Sequence, residues 1–284
     1  MKRIYACLRL MRIVNSVMVG FAVLVALAIA TGRDFFRFKT LDYIAGFLVG
    51  FTISASAMVL NDIADIEIDK INTPNRPLPS GIISIRQAFI CYFVLVSIGI
   101  MASLRAGLDS LAVVIAAVIV SALYDLRLKA SGFMGNVAVA FSTSLPFLYA
   151  FTFTNNPNYT VLVFWAMVFL SVLAREIVKD IADVEGDKVK GVKSLPILIG
   201  ERKAAFIAGM FNLLAVLLSP IPVVYGLVNE AVYSGFVIIV DFALIYSSYR
   251  VIINPSREEA LRQKRIMLYA MMIGLMGFVL SVLV

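Results

Sequence analysis

Long apolar runs follow one another along the chain, separated by short polar connections and by two long charged ones. A bilayer-crossing helix needs about 20 predominantly apolar residues. Nine runs meet or approach that length, at roughly 13–31, 40–61, 86–104, 110–124, 133–153, 158–176, 204–226, 231–250 and 266–284. The fourth is short and ends at Tyr124, and the long connections are 62–85 and 177–203. The pattern predicts an all-α polytopic membrane protein, with residues 1–284 as a single integral membrane domain. The N-terminal MKRIYACLRLMR is basic, and the apolar run of about 19 residues behind it has no small-residue cleavage site. It reads as a retained first span.

Composition agrees with this pattern, since 61% of the residues are hydrophobic where a soluble domain has about half. The net charge of +7 matters less than its distribution. Alternating spans divide the 25 Lys and Arg into two groups. One face takes 21: Lys2, Arg3, Arg9 and Arg12; Lys70, Arg76 and Arg86; Arg127 and Lys129; Arg175, Lys179, Lys188, Lys190, Lys193, Arg202 and Lys203; Arg250, Arg257, Arg262, Lys264 and Arg265. The other face takes 4, namely Arg33, Arg37, Lys39 and Arg105. Positive charge stays on the cytoplasmic side, so the expected topology is multi-pass with a cytoplasmic N-terminus and an external C-terminus. The partner surface is the lipid bilayer, and no nucleic acid partner is expected.

The chain also repeats itself. Residues 62–70 read DIADIEIDK and residues 180–188 read DIADVEGDK, with seven of nine positions identical at a separation of 118. Four spans lie between the copies, so both fall on the cytoplasmic side and the repeat is parallel. The simplest architecture is two four-helix pseudo-repeats, about 13–124 and 133–250, plus a ninth helix at about 266–284, around a central cavity.

The repeated segments carry the candidate chemistry. At 100° per residue, Asn61, Asp62, Asp65 and Asp69 share one 100° arc of a helix, while Glu67 points to the opposite side. Asp180, Asp183 and Asp187 repeat the spacing of three and four. Each copy is therefore a carboxylate stripe along the cytoplasmic end of a helix. Acids on one face repel unless cations sit between them. An oxygen-only donor set suits a hard cation, and Mg²⁺ characteristically takes a few carboxylates together with substrate phosphate oxygens. Two opposed stripes thus make a candidate diphosphate site with Mg²⁺ as cofactor. The chain has no histidine, which argues against zinc or haem ligation by imidazole and against a histidine base. The two cysteines, Cys7 and Cys91, are expected to pack rather than to pair.

Basic residues on the same side suit a diphosphate. Arg76 lies in Asn75-Arg76-Pro77-Leu78-Pro79, where prolines stiffen the backbone around a guanidinium fork. Lys129 follows Tyr124 by five residues at the exit of the fourth span; an interfacial tyrosine and a snorkelling lysine are the plainer readings of that pair. Arg12 and Asn15 at the start of the first span, and Lys188 and Lys193 beside the second stripe, are weaker candidates.

Together these features resemble the UbiA superfamily of intramembrane prenyltransferases. Asn61-Asp62-x2-Asp65-x3-Asp69 matches its first motif and Asp180-x2-Asp183-x3-Asp187 its second. Tyr124 and Lys129, followed by Gly135-Asn136, match its Tyr–Lys motif, and Arg76-Pro77-Leu78 matches its first loop. Arg175-Glu176-Ile177-Val178-Lys179-Asp180, with Lys193-Ser194-Leu195-Pro196 and Ile199-Gly200, resembles the archaeal branch that makes digeranylgeranylglyceryl phosphate.

The resemblance implies nine helices, Mg²⁺ dependence and a lateral opening to the bilayer. It implies Mg²⁺ ligation by Asn61, Asp62, Asp65, Asp69, Asp180, Asp183 and Asp187, with Asp65, Asp69, Asp183, Asp187 and Tyr124 as the catalytic set. It implies diphosphate binding by Arg76, Lys129, Arg12, Lys188 and Lys193, and substrate contacts from Asn15 and Tyr124. The implied partners are a prenyl diphosphate, geranylgeranyl diphosphate, and a lipid-phosphate acceptor, geranylgeranylglyceryl phosphate. Alternatives of the same family are transfer to aromatic or quinone-precursor acceptors. A CDP-alcohol phosphatidyltransferase is disfavoured because its Asp-Gly…Ala-Arg order is absent. A transporter is disfavoured because transporter acids sit near the bilayer midplane.

Overall fold

The computed structural model describes residues 2–154 and 157–284, without the side chains of residues 2–4, 68, 72 and 190. Lys2, Arg3 and Lys190 of the charge pattern thus have side chains outside the description. A short helix, α1 (Lys2–Leu10), precedes α2 (Ile13–Thr31), which continues through a 3₁₀ turn into α3 (Thr40–Ala64). Then come α4 (Ile66–Asn72), α5 (Ile85–Ser103), α6 (Leu108–Leu126), α7 (Phe133–Phe153) and α8 (Thr160–Lys190). The chain ends with α9 (Leu195–Ile199), α10 (Glu201–Leu218), α11 (Ile221–Val224), α12 (Glu230–Ile253) and α13 (Arg257–Leu283). Among the described residues nine helices are long and apolar enough to span a membrane, as the hydropathy pattern predicts.

Contacts at the two ends of the bundle show that successive spans alternate in direction. At one end Arg12 meets Asp62, Asn61 meets Asp125, Asn136 meets Asp180 and Arg250 meets Glu259. At the other end Asn158 N–H donates to the Ala30 carbonyl, Asn229 N–H to the Ser281 carbonyl, and Arg105 pairs with Asp42. Helices in lipid associate by close packing rather than by hydrophobic burial, so small residues sit where backbones cross. Gly50 of α3 shows this: a Cβ there would lie 2.7 Å from the Val19 carbonyl oxygen of α2. The outward faces carry Phe21, Phe93, Leu213, Phe242 and Tyr269, all exposed, which suits contact with acyl chains. Cys7 and Cys91 are unpaired and pack in one apolar cluster formed by α1, α3 and α5.

Several boundaries differ from the sequence reading, each for a physical reason. The sixth span does not end near residue 176; α8 runs on to Lys190. No proline interrupts it, and it stops at Gly191, which takes a left-handed φ of 70°. The connection 177–203 is therefore mostly helix. The ninth helix starts at Arg257, because Ser256 caps it by accepting from Glu259 N–H. Its charged first turns hide it from a hydropathy reading. The fourth span is longer than the sequence reading, at Leu108–Leu126. The seventh ends at Leu218 ahead of Pro220 and Pro222. The first stripe is not on one unbroken helix: α3 stops at Ala64 and α4 restarts at Ile66, with Asp65 at the joint.

Candidate active site

The break at Asp65 leaves the first stripe's spacing intact, because Asp65 N–H still donates to the Asn61 carbonyl and Asp69 N–H to the Asp65 carbonyl. The side chains split into two directions. Asp62 and Asp69, both buried, turn toward arginines. Arg12 Nη2 lies 3.1 Å from Asp62 Oδ1 and 3.3 Å from Asn61 Oδ1. Arg76 Nη1 lies 2.6 Å from Asp69 Oδ2 and 3.5 Å from Asp62 Oδ1, and Thr73 Oγ1 donates to Asp69 Oδ1 at 2.9 Å. Asn61 and Asp65 turn toward the end of α6: Asn61 Nδ2 donates to Asp125 Oδ1 at 2.8 Å, and Lys129 pairs with Asp65. Glu67 points away, as its position on the helix predicts, and pairs with Lys70 in solvent.

Two local features aim these cations. Arg12 occupies the joint between α1 and α2 with φ 44° and ψ 57°, left-handed for a non-glycine residue. That conformation costs about 1–2 kcal/mol, and it puts the guanidinium beside the stripe. The segment after α4 folds back in consecutive turns, with Arg76 N–H on the Thr73 carbonyl, Ser80 N–H on the Arg76 carbonyl and Ile83 N–H on the Pro77 carbonyl. Leu78 is buried at its centre, so Arg76 is held by an ordered cap.

The second stripe is arranged differently. Asp180 is buried and accepts from Asn136 Nδ2 of α7 at 2.7 Å. Asp183 and Asp187 are partly exposed, make no ion pair among the described residues, and line a cleft with Arg257. Tyr124 stands between the stripes. It is next in sequence to Asp125, which Asn61 contacts, and its hydroxyl lies within electrostatic range of Asp125, Asp180, Lys179 and Glu176. Beneath the first stripe, α2, α3, α6 and α7 line an apolar cavity of about 470 Å³. Met58 and Ser121 line it, one turn below Asp62 and Asp125.

The structure therefore gathers Asn61, Asp62, Asp65, Asp69, Arg12, Arg76 and Lys129 into one network and puts Asp180 and Tyr124 across from it. The Lys193 backbone packs against Gly132, just ahead of α7. The side chains of Asn15, Lys188 and Lys193 are exposed and join no hydrogen bond or ion pair among the described residues. Asp125, Glu176 and Lys179 lie near Tyr124 and were not among the site residues predicted from sequence, although Glu176 and Lys179 fall in the segment that resembles the archaeal branch. Asp125 had a signal, an acid directly after Tyr124 at the end of a span. Among the described residues no three acids converge as an all-protein metal cage would require. The donor set is oxygen-only and carried on α3, α4 and α8. That fits Mg²⁺, which takes one or two carboxylates and completes its shell with phosphate oxygens and water.

Gly132 seats the loop that carries Lys193. Its φ is +65°, and a Cβ there would lie 1.9 Å from the Lys193 carbonyl oxygen. Gly132→Ala is expected to lower stability by about 2–4 kcal/mol, read as a fall in melting temperature in detergent. An unchanged melting temperature would show that the two turns do not touch.

The comparisons agree with this geometry. Residues 19–272 match the model of the UbiA prenyltransferase family. The digeranylgeranylglyceryl phosphate synthase of Methanosphaera stadtmanae is 34% identical over 277 residues, covering 97% of this chain and 98% of that protein. The synthase of the same name from Methanococcus aeolicus is 35% identical over 275 residues, covering 96% of each. A solved structure of digeranylgeranylglyceryl phosphate synthase superposes with a TM-score of 0.93 at 31% identity, covering 99% of both chains. A UbiA homolog from Archaeoglobus fulgidus bound to DMAPP and Mg²⁺ shares the fold, with a TM-score of 0.66 at 17% identity over 96% of this chain and 98% of that one. Acid-bearing ends of α3 and α8 in a nine-span bundle, matched over nearly the whole chain, make this protein a member of the UbiA prenyltransferase family.

Proposed function

We propose that the protein transfers a geranylgeranyl group from geranylgeranyl diphosphate to the glycerol hydroxyl of geranylgeranylglyceryl phosphate, forming the second ether bond of an archaeal membrane lipid. The observation that carries prenyl transfer is an acid-bearing helix end one turn above an apolar cavity, with a second acid-bearing helix end held to α7, which lines the same cavity, by Asn136. The acceptor follows the relatives, which bear the name of that synthase and match almost end to end.

Asn61, Asp62, Asp65 and Asp69 on one side, and Asp180, Asp183 and Asp187 on the other, would hold Mg²⁺. Bound there, the metal would neutralise charge developing on the diphosphate leaving group. Arg76, Lys129 and Arg12 add fixed positive charge at the same place, preorganised by their contacts with the acids. The allylic C1–O bond breaks with its electron pair leaving on the diphosphate, and the acceptor oxygen bonds to C1. The hydroxyl proton passes to a stripe carboxylate or to the released diphosphate. Tyr124 presents an electron-rich ring beside the reacting carbon, and the apolar cavity keeps water from the cation. We place this site on the cytoplasmic face, following the charge asymmetry.

Purified protein with labelled geranylgeranyl diphosphate and Mg²⁺, offered geranylgeranylglyceryl phosphate or an aromatic acid, tests the reading by mass spectrometry. The ether product is expected from the first acceptor alone. Prenylation of the aromatic acid instead would overturn the acceptor assignment and leave prenyl transfer standing.

A further inference from the structure

The proposed reaction brings together two anionic headgroups, a diphosphate and a phosphate monoester, and two long apolar chains. The cations around the first stripe are engaged by its acids. A second basic pair lies on α8, where Arg175 and Lys179 are one turn apart and flank Glu176. Glu176 is buried and accepts from Arg175 Nη1 at 2.9 Å and from Lys179 Nζ at 2.9 Å. One carboxylate thus serves two cations. The Arg175 Nε–H is buried and has no hydrogen-bond partner among the described residues. A guanidinium does not shed its proton, and a buried donor left without an acceptor is costly. Asp180 does not fill that role, being about 140° around the helix from Arg175 and held by Asn136.

What lies beneath this pair is also specific. Val168, Ser171, Val172, Arg175, Lys179 and Asp183 share one face of α8. Val168, Ser171 and Val172 line a second apolar cavity of about 280 Å³, between α7, α8, α10, α12 and α13. Its one carboxylate, Asp241, is occupied by Ser219 Oγ at 2.7 Å. The two cavities meet at Ala22, Thr143 and Pro146. Each apolar cavity therefore has its own charged group at the cytoplasmic end.

We infer that Arg175 and Lys179 bind the phosphate monoester of the lipid acceptor, with its chain in the smaller cavity and the donor's chain in the larger one. The inference rests on the proposed reaction. Spacing along α8 keeps the two anions apart: Arg175 is eight residues from Asp183, about 12 Å along the axis, and Lys179, four residues away at about 6 Å, sits at the boundary between them. The planar fork of Arg175 suits a terminal phosphate, and Lys179 closes it from the Tyr124 side.

The test compares wild type, Arg175→Gln, Lys179→Gln and Ser171→Phe as full-length protein in nanodiscs. Equilibrium binding and KM are measured for geranylgeranylglyceryl phosphate, for the uncharged alcohol geranylgeranylglycerol and for geranylgeranyl diphosphate. Arg175→Gln and Lys179→Gln are expected to raise the Kd and KM of the phosphate acceptor at least tenfold, with less than twofold change for the donor. Wild-type preference for the phosphate over the uncharged alcohol is expected to collapse. Ser171→Phe, which fills the smaller cavity, is expected to weaken both acceptors and spare the donor. If Arg175→Gln fails to fold, Arg175→Lys keeps the charge, loses the fork and is expected to show the same selective loss. Unchanged acceptor binding in the variants overturns the inference, as does an equal rise for the donor. No ether product from wild type would instead overturn the proposed reaction, and the inference with it.

Discussion

Asp183→Ala is expected to lower prenyl transfer by about a thousandfold without lowering the melting temperature. Most acids of the site serve two purposes: Asp62 and Asp69 are buried and paired with arginines, so their loss perturbs fold and chemistry together. Asp183 differs. It is partly exposed and makes no ion pair among the described residues. One turn further along α8 stands Asp187, a like charge at the i,i+4 position. Such a pair destabilises a helix by a few tenths of a kcal/mol, so removing one member leaves stability level or slightly raised. An acid that does nothing for the fold, next to another it repels, is explained by a cation shared with substrate. The check is kcat of the purified variant at saturating Mg²⁺ together with a melt followed by circular dichroism. Near-normal turnover in a folded variant would sink the assignment of metal to both stripes.

The span count and both stripes were legible because each rests on a strong periodic signal: apolar runs of membrane length, and acids three and four apart. What stayed hidden were contacts between segments distant in sequence. Asp125 reads as an isolated acid until α6 is seen to end beside Asn61. The role of Arg12 depends on a left-handed joint between α1 and α2, and no residue preference announces a positive φ at an arginine. Hydropathy also misplaces ends wherever a helix stays helical after it turns polar. Hydropathy put the second stripe in a connection for that reason, while the spacing of its acids read as a helix end, and α8 carries it without a break. The pairing of the acids with the protein's own cations was likewise invisible. Repulsion along the stripe was expected to call for bound metal, and in the fold Arg12, Arg76 and Lys129 already offset much of it.

That offset makes Arg76→Ala the other change with a large expected effect, and the direction of its rescue is informative. Arg76 Nη1 bridges Asp69 and Asp62, whose side chains are 8% and 6% exposed. Breaking a fully buried pair costs about 3–5 kcal/mol. Here Arg76 is about a third exposed, Thr73 still donates to Asp69 and Arg12 still contacts Asp62. The expected loss is therefore smaller, about 2–3 kcal/mol, seen as a lower melting temperature without Mg²⁺. A ligand that binds only the folded state stabilises it by mass action, and in this variant the cation finds two acids freed of a competing guanidinium. Added Mg²⁺ is thus expected to raise the melting temperature of Arg76→Ala more than that of wild type. Transfer stays depressed by about a hundredfold or more even at saturating Mg²⁺, because the diphosphate has lost a preorganised cation. Arg76→Lys, with the charge but not the planar fork, is expected to recover most of the stability and little of the turnover. Equal Mg²⁺-induced shifts in wild type and Arg76→Ala would mean that arginine and metal do not share these carboxylates. The cap that holds Arg76 would then be a structural lid over the stripe, with no part in exchanging its acids between protein and substrate.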